Sequence, residues 1–152
     1  MKDILIAIDP GELTGLVIVN RETAEVLRSA ELSEFEVTRL VEEFLYLNPA
    51  TEVVMEKFTI NPETHKKTAQ PTALYLIGAV RFLYMKYTGK TVPLQTPGDA
   101  KSFSTNDKLK AVGFWHKGGE GHANDAFRHA LLYMVRTNKD FGGILLNKIE
   151  TK

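Results

Sequence analysis

Residues 3–20 read Asp-Ile-Leu-Ile-Ala-Ile-Asp-Pro-Gly-Glu-Leu-Thr-Gly-Leu-Val-Ile-Val-Asn. From Ile4 to Ile8 the run of Ile, Leu and Ala is unbroken. That is the composition of a strand covered on both faces, because a strand with one wet face alternates apolar and polar side chains. Residues 3–9 are therefore predicted as a buried strand, closed by the turn signal Asp9-Pro10-Gly11. Leu16–Val19 predicts a second strand and Glu25–Ala30 a third, with Asn20-Arg21-Glu22-Thr23 as the hairpin turn between them.

Beyond the strands the spacing changes to that of helices. Ser33 followed three residues later by Glu36 is a capping box. Phe35, Val37, Leu40, Val41, Phe44, Leu45 and Leu47 then recur on one helical face until Asn48-Pro49 stops the helix. Thr51–Met55 predicts a fourth strand, and the polar stretch Lys57–Pro71, with two prolines, an exposed loop. A long helix is predicted from Thr72 to Tyr87, ending at Gly89, and a fifth strand over Thr91–Leu94. Thr96-Pro97 opens a short helix, Thr105 or Asn106 caps another through Val112, and Gly118-Gly119-Glu120-Gly121 is expected to be flexible. The last amphipathic helix is predicted over Ala123–Arg136. For Ile144-Leu145-Leu146 the sequence leaves a small strand, a dimer contact or packing over the core open. With no internal repeat and no long linker, residues 1–152 are expected to form one mixed α/β domain.

Composition excludes several classes of function. The 152 residues contain no cysteine, which removes disulfide scaffolds, thiol nucleophiles, iron–sulfur clusters and cysteine-based zinc sites. No stretch approaches the roughly 18 apolar residues a membrane helix needs, and the N-terminus meets Asp9 too early for a signal peptide, so a cytoplasmic protein is expected. Net charge is zero, with 19 Lys+Arg against 19 Asp+Glu, but the balance is uneven along the chain. Residues 1–56 hold four basic and twelve acidic side chains, net −8, and residues 57–152 hold fifteen and seven, net +8. A basic face beside an acidic one is compatible with this split, as are ordinary solvated helix surfaces.

Three acids stand where a buried element ends. Asp9 closes the first strand, Glu56 the fourth, and Asp125 lies near the start of the last helix. Such ends place side chains at the rim of a sheet, where open α/β folds build their sites on a rigid base. Taken singly, each acid is an ordinary cap or turn former. Taken together, carboxylates that cannot neutralise one another suit a hard cation, and Mg²⁺ prefers one or two carboxylates with phosphate oxygens and water. His122 stands three residues before Asp125, so both can leave one helical face, either as a metal ligand and phosphate-positioning group or as an exposed cap.

The segment Ile6-Ala7-Ile8-Asp9-Pro10-Gly11 with Thr14-Gly15, then Val54-Met55-Glu56, then His122-Ala123-Asn124-Asp125-Ala126 with His129-Ala130, resembles the RuvC-type Holliday junction resolvases of the ribonuclease H and retroviral-integrase superfamily. The order of elements agrees over nearly the whole chain, and its small size is similar to that of phage-encoded members. The resemblance implies a ribonuclease H-like α/β fold: a five-stranded mixed sheet, three antiparallel strands then two parallel, flanked by helices.

It also implies a catalytic and metal-binding set of Asp9, Glu56, His122 and Asp125 around two Mg²⁺ ions, with Mn²⁺ able to substitute. Many relatives carry Asp at the position of His122 and some carry His. The implied activity is structure-selective cleavage of four-way or branched DNA by paired nicks, leaving 5′-phosphate and 3′-hydroxyl ends. Phe58 would stack on a base near the junction, or else anchor the loop on the core, while Lys57, His65, Lys66, Lys67, Lys101, Lys108 and Lys110 would meet DNA phosphates. The family acts as a homodimer. The 72–87 helix is the expected interface, since Leu74, Tyr75, Leu76, Ile77, Val80, Phe82 and Leu83 exceed what one face against a sheet requires. Other readings are a different nuclease of the same fold, a phosphate-binding ATPase-like domain suggested by Asp9-Pro10-Gly11 with Thr14-Gly15, and a silent DNA-binding module.

Overall fold

The computed structural model describes residues 3–60 and 71–150. The middle of the predicted exposed loop, including His65, Lys66 and Lys67, lies outside the described residues. In chain order the elements are β1 (Ile4–Asp9), β2 (Thr14–Asn20), β3 (Val26–Leu32), α1 (Glu34–Leu47), β4 (Glu52–Glu56), α2 (Pro71–Thr88), β5 (Leu94–Gln95), α3 (Pro97–Phe103), α4 (Asn106–Ala111), α5 (His122–Thr137) and α6 (Phe141–Glu150). The strands form one sheet in the order β3-β2-β1-β4-β5. β1, β2 and β3 pair antiparallel, and β4 and β5 add in parallel. This is the ribonuclease H-like arrangement expected above.

β1 is the central strand, and its composition follows from that position. Ile4, Ile6 and Ile8 enter a core with Val37, Val41 and Leu45 of α1 and Leu76 and Val80 of α2. Leu5 and Ala7 face the other way, toward Phe127, Ala130 and Met134 of α5. Strand side chains alternate between faces, so apolar groups are needed at every position when both faces are covered. Each such Ile or Leu contributes about 1.5–3 kcal/mol by its burial.

Local signals mostly act where the sequence places them. Ser33 caps α1 with both bonds of the capping box: its hydroxyl accepts from Glu36 N–H, and its own N–H donates to the Glu36 carboxylate at 3.0 Å. The Asn20 carboxamide accepts from Glu22 and Thr23 N–H, which folds the β2–β3 turn. Thr14 locks the β1–β2 turn by donating its hydroxyl to the Gly11 carbonyl at 3.1 Å.

One expectation is corrected. The fifth strand is Leu94–Gln95 rather than Thr91–Leu94; Pro93 has no N–H to give the ladder, though its carbonyl accepts from Met55 N–H. Of the readings open for Ile144-Leu145-Leu146, packing over the core is the one observed: the segment belongs to helix α6, where Ile144 and Leu145 pack against the α5-side core. In the glycine-rich stretch before α5, the Glu31 carboxylate accepts from the N–H groups of Glu120 at 2.8 Å and Gly121 at 2.9 Å.

Candidate active site

β1 and β4 run parallel, so Asp9 and Glu56, the last residues of each, emerge at the same end of the sheet. α5 starts at that end too. A Cβ on Gly15 would lie 1.9 Å from the carbonyl oxygen of His122, so the first turn of α5 rests directly on the β2 backbone opposite Asp9. Only glycine permits that approach.

The start of α5 has no side-chain cap of its own, since its N-cap is Gly121 in the left-handed conformation. Glu31 of β3 takes that role from a distance, receiving the N–H of Ala123 at 3.3 Å as well as those of Glu120 and Gly121. Burial pushes the Glu31 carboxyl up, but these backbone donors hold it below the ordinary carboxylate value. Sequence reasoning missed Glu31. It is an unremarked acid at the end of a strand, and its partners are backbone groups some ninety residues away.

With α5 so placed, Asp9, Glu56, His122 and Asp125 line one cleft of about 630 Å³, together with Pro10, Gly11, Glu12, Leu13, Phe58 and Glu120. All four expected site residues are thus brought together from three distant segments. Phe58 is partly buried against the α1–α2 side of the core, as a loop anchor would be, and also borders the cleft. Among the described residues, the expected phosphate-binding lysines Lys57, Lys101, Lys108 and Lys110 do not line the cleft. Lys57 and Lys101 are exposed, Lys108 donates to the Phe103 carbonyl at 2.8 Å, and the Lys110 ammonium lies 4.6 Å from the Trp115 ring centre.

Among the described residues, five carboxylates face this cleft. Asp9 is the most deeply placed, only 7% exposed. Burial first, then the charge of Glu56 and more weakly that of Asp125, pushes its carboxyl up to about 6 despite a hydrogen bond with His122. That bond joins His122 Nδ1 to Asp9 Oδ2 at 3.1 Å. While Asp9 is ionised it can only accept, so Nδ1 carries the proton; Nε2, which keeps a lone pair in the neutral ring, lies 3.8 Å from Glu120 Oε2.

The other acids are also engaged. Glu56 Oε2 lies 3.0 Å from His129 Nε2, and Asp125 Oδ1 lies 3.3 Å from Arg128 Nε. Like charges repel and each carboxylate leans toward its own basic neighbour. Accordingly, among the described residues no three acid or imidazole side chains are gathered closely enough to hold an ion as they stand. The four expected ligands share a cleft without forming a closed cage.

The donor set nevertheless suits a hard divalent cation. Carboxylate oxygens with one imidazole are appropriate ligands, and Asp9 is both buried and surrounded by further acids, the first raising its carboxyl most and the charges of Glu56 and Asp125 adding to it. A phosphodiester would be repelled from such a cleft unless a cation lay between.

No protein-family model matches this chain, and neither does any curated protein. Among solved structures, the chain is similar to T. thermophilus RuvC in complex with Holliday junction substrate, with TM-score 0.65 and 18% identity over 89% of this chain and 96% of that one. It is likewise similar to the Thermus thermophilus RuvC structure, with TM-score 0.64 and 18% identity over 88% and 95% of the two chains. The chain has the RuvC fold from end to end of that protein.

Proposed function

We propose that this protein is a divalent-metal-dependent, structure-selective endodeoxyribonuclease that resolves four-way or branched DNA by paired nicks, working in the cytoplasm as a homodimer of one nuclease domain. The observation that carries this reading is the convergence of Asp9, Glu56, His122 and Asp125 in one cleft on a RuvC fold. The similar RuvC chain was solved with a Holliday junction substrate.

Asp9, Glu56 and Asp125, with Nε2 of His122, would hold Mg²⁺ or Mn²⁺ at the rim of the sheet. The bound metal would supply the positive charge that activates water and stabilises the leaving 3′-oxygen. Asp9 and Glu56 are fixed by the sheet beneath them, and His122 and Asp125 by a helix whose first turn is clamped to β2 and β3. Rigid placement of this kind lowers the cost of orienting reactants. Phe58, at the cleft edge beside Glu56, is positioned to stack on an unpaired base at a branch point.

Helix α2 supports the dimer. Leu76, Ile77, Val80 and Leu83 are buried in the core, whereas Leu74, Tyr75 and Phe82 are exposed, the last two by 66% each. Apolar side chains left in solvent beside a complete core support an association surface on this helix.

The test is cleavage of a synthetic four-way junction with Mg²⁺ or Mn²⁺. Symmetric nicks are expected, abolished in Asp9→Asn with junction binding retained. Full activity of Asp9→Asn would sink the site assignment. Faster cutting of linear duplex, flap or RNA substrates than of the junction would instead make the protein a different nuclease of the same fold.

A further inference from the structure

His129 lies in α5 one turn beyond Asp125, and His122, Asp125 and His129 are spaced three and four residues apart, on one helical face directed at the end of the sheet. Its imidazole is 1% exposed. Nε2 meets Glu56 Oε2 at 3.0 Å, and Nδ1 meets the Gln95 carboxamide at 3.0 Å. Gln95 is itself buried and stands beside Glu56 in the parallel register of β4 and β5. β5 is only two residues long. One of the two presents this carboxamide, and its carbonyl accepts from Lys57 N–H at 2.7 Å, which fixes the backbone immediately after Glu56.

An ionised Glu56 only accepts, so His129 Nε2 donates. The partner of Nδ1 is the amide oxygen of Gln95, which accepts from the ring when both nitrogens carry protons, while the same amide turned over would donate to Nδ1 of a neutral ring. Gln95 can therefore hold His129 in either charge state, by a turn of its amide. His129 occupies Oε2 of Glu56, a residue that lines the cleft, and among the described residues no hydrogen bond engages Oε1.

We infer that His129, held by Gln95, is the positioning residue for Glu56: it restrains one carboxylate oxygen so that the other is presented to the metal. The inference rests on the nuclease reading above and deepens it. Carboxylate ligands in metal sites are generally hydrogen-bonded from behind, and losing that support typically weakens metal affinity by about 10–100-fold. A buried histidine whose two polar partners are a candidate ligand and that ligand's neighbour in the sheet does more than fill the core.

Mn²⁺ binding to the DNA-free protein, followed by calorimetry, tests this without reference to turnover. His129→Leu and Gln95→Met are expected to raise the Mn²⁺ dissociation constant, the first by about 10–100-fold and the second by less. His129→Gln, which restores an N–H toward Glu56, should recover most of the affinity. Junction binding in EDTA should be unchanged in all three. If His129→Leu does not fold, Gln95→Met and His129→Gln decide the matter. Parent-like Mn²⁺ affinity in Gln95→Met, or no recovery in a folded His129→Gln, overturns the positioning role alone. A parent protein that takes up no Mn²⁺ removes the metal reading and this inference with it.

Discussion

Asp9 shows what the site costs the fold. Its ordinary carboxyl value of 3.8 rises to about 6 through burial and the neighbouring acids. The folded protein thus prefers the neutral form: the contribution is fully present below about pH 4 and is lost as pH rises through 6. At about pH 8 without metal, ionised Asp9 should weaken folding by on the order of 3 kcal/mol. Asp9→Asn is therefore expected to melt at higher temperature than the parent in EDTA at about pH 8, with the difference vanishing near pH 4. Mg²⁺ should stabilise the parent and not the variant. A variant less stable than the parent at the higher pH would contradict this account. The same residue was legible in sequence, as an acid ending an apolar strand. Its partner His122 was also legible, though their 3.1 Å contact required the fold.

At the level of elements, the start of α5 is the least conventional piece. A helix whose N-cap is glycine leaves backbone N–H groups without a local acceptor, and Glu31 supplies one from another strand. Glu31→Ala should cost about 1–2 kcal/mol, the magnitude of a lost cap. Amide exchange should accelerate at Gly121–Asn124 first, and cleavage should fall further than stability alone accounts for. Unchanged exchange at those amides would show that the clamp is unimportant. Gly15→Ala acts on the same junction from below. Its methyl would meet a backbone carbonyl, not a flexible side chain, so strand and helix must part, at about 1–3 kcal/mol in a thermal or denaturant melt. Helix existence was legible from periodicity and the Ser33–Glu36 box. The placement of β5 was misjudged because Val92 and Leu94 look like strand residues while Pro93 between them cannot donate.

For the whole molecule, charge and apolar surface set the partners. The cleft-lining acids come from both halves of the chain, with Asp9, Glu12 and Glu56 from one and Glu120 and Asp125 from the other. The −8 and +8 split along the sequence is therefore not carried over into the lining of the cleft. Junction binding should weaken steeply with added salt, as phosphate contacts do, and strengthen with divalent metal; binding indifferent to both would remove the proposed electrostatic footing. On the opposite theme, Phe82→Glu places a charge in the exposed stripe of α2. It is expected to convert a dimer to a monomer in sedimentation while leaving the fold intact, and a parent that sediments as a monomer would dismiss that interface.

What the sequence determined by itself is the set of elements apart from α6 and the placement of β5, and three of the acids that meet in the cleft, because strand burial, helix periodicity and caps are local properties read over a few residues. The tertiary structure alone decided the supports: Glu31 holding the start of α5, Gly15 beneath it, and Gln95 and His129 behind Glu56. Each joins residues thirty or more positions apart, where no spacing rule applies. Their hydrogen bonds exist only once parallel strands and a returning helix have brought those backbones into contact.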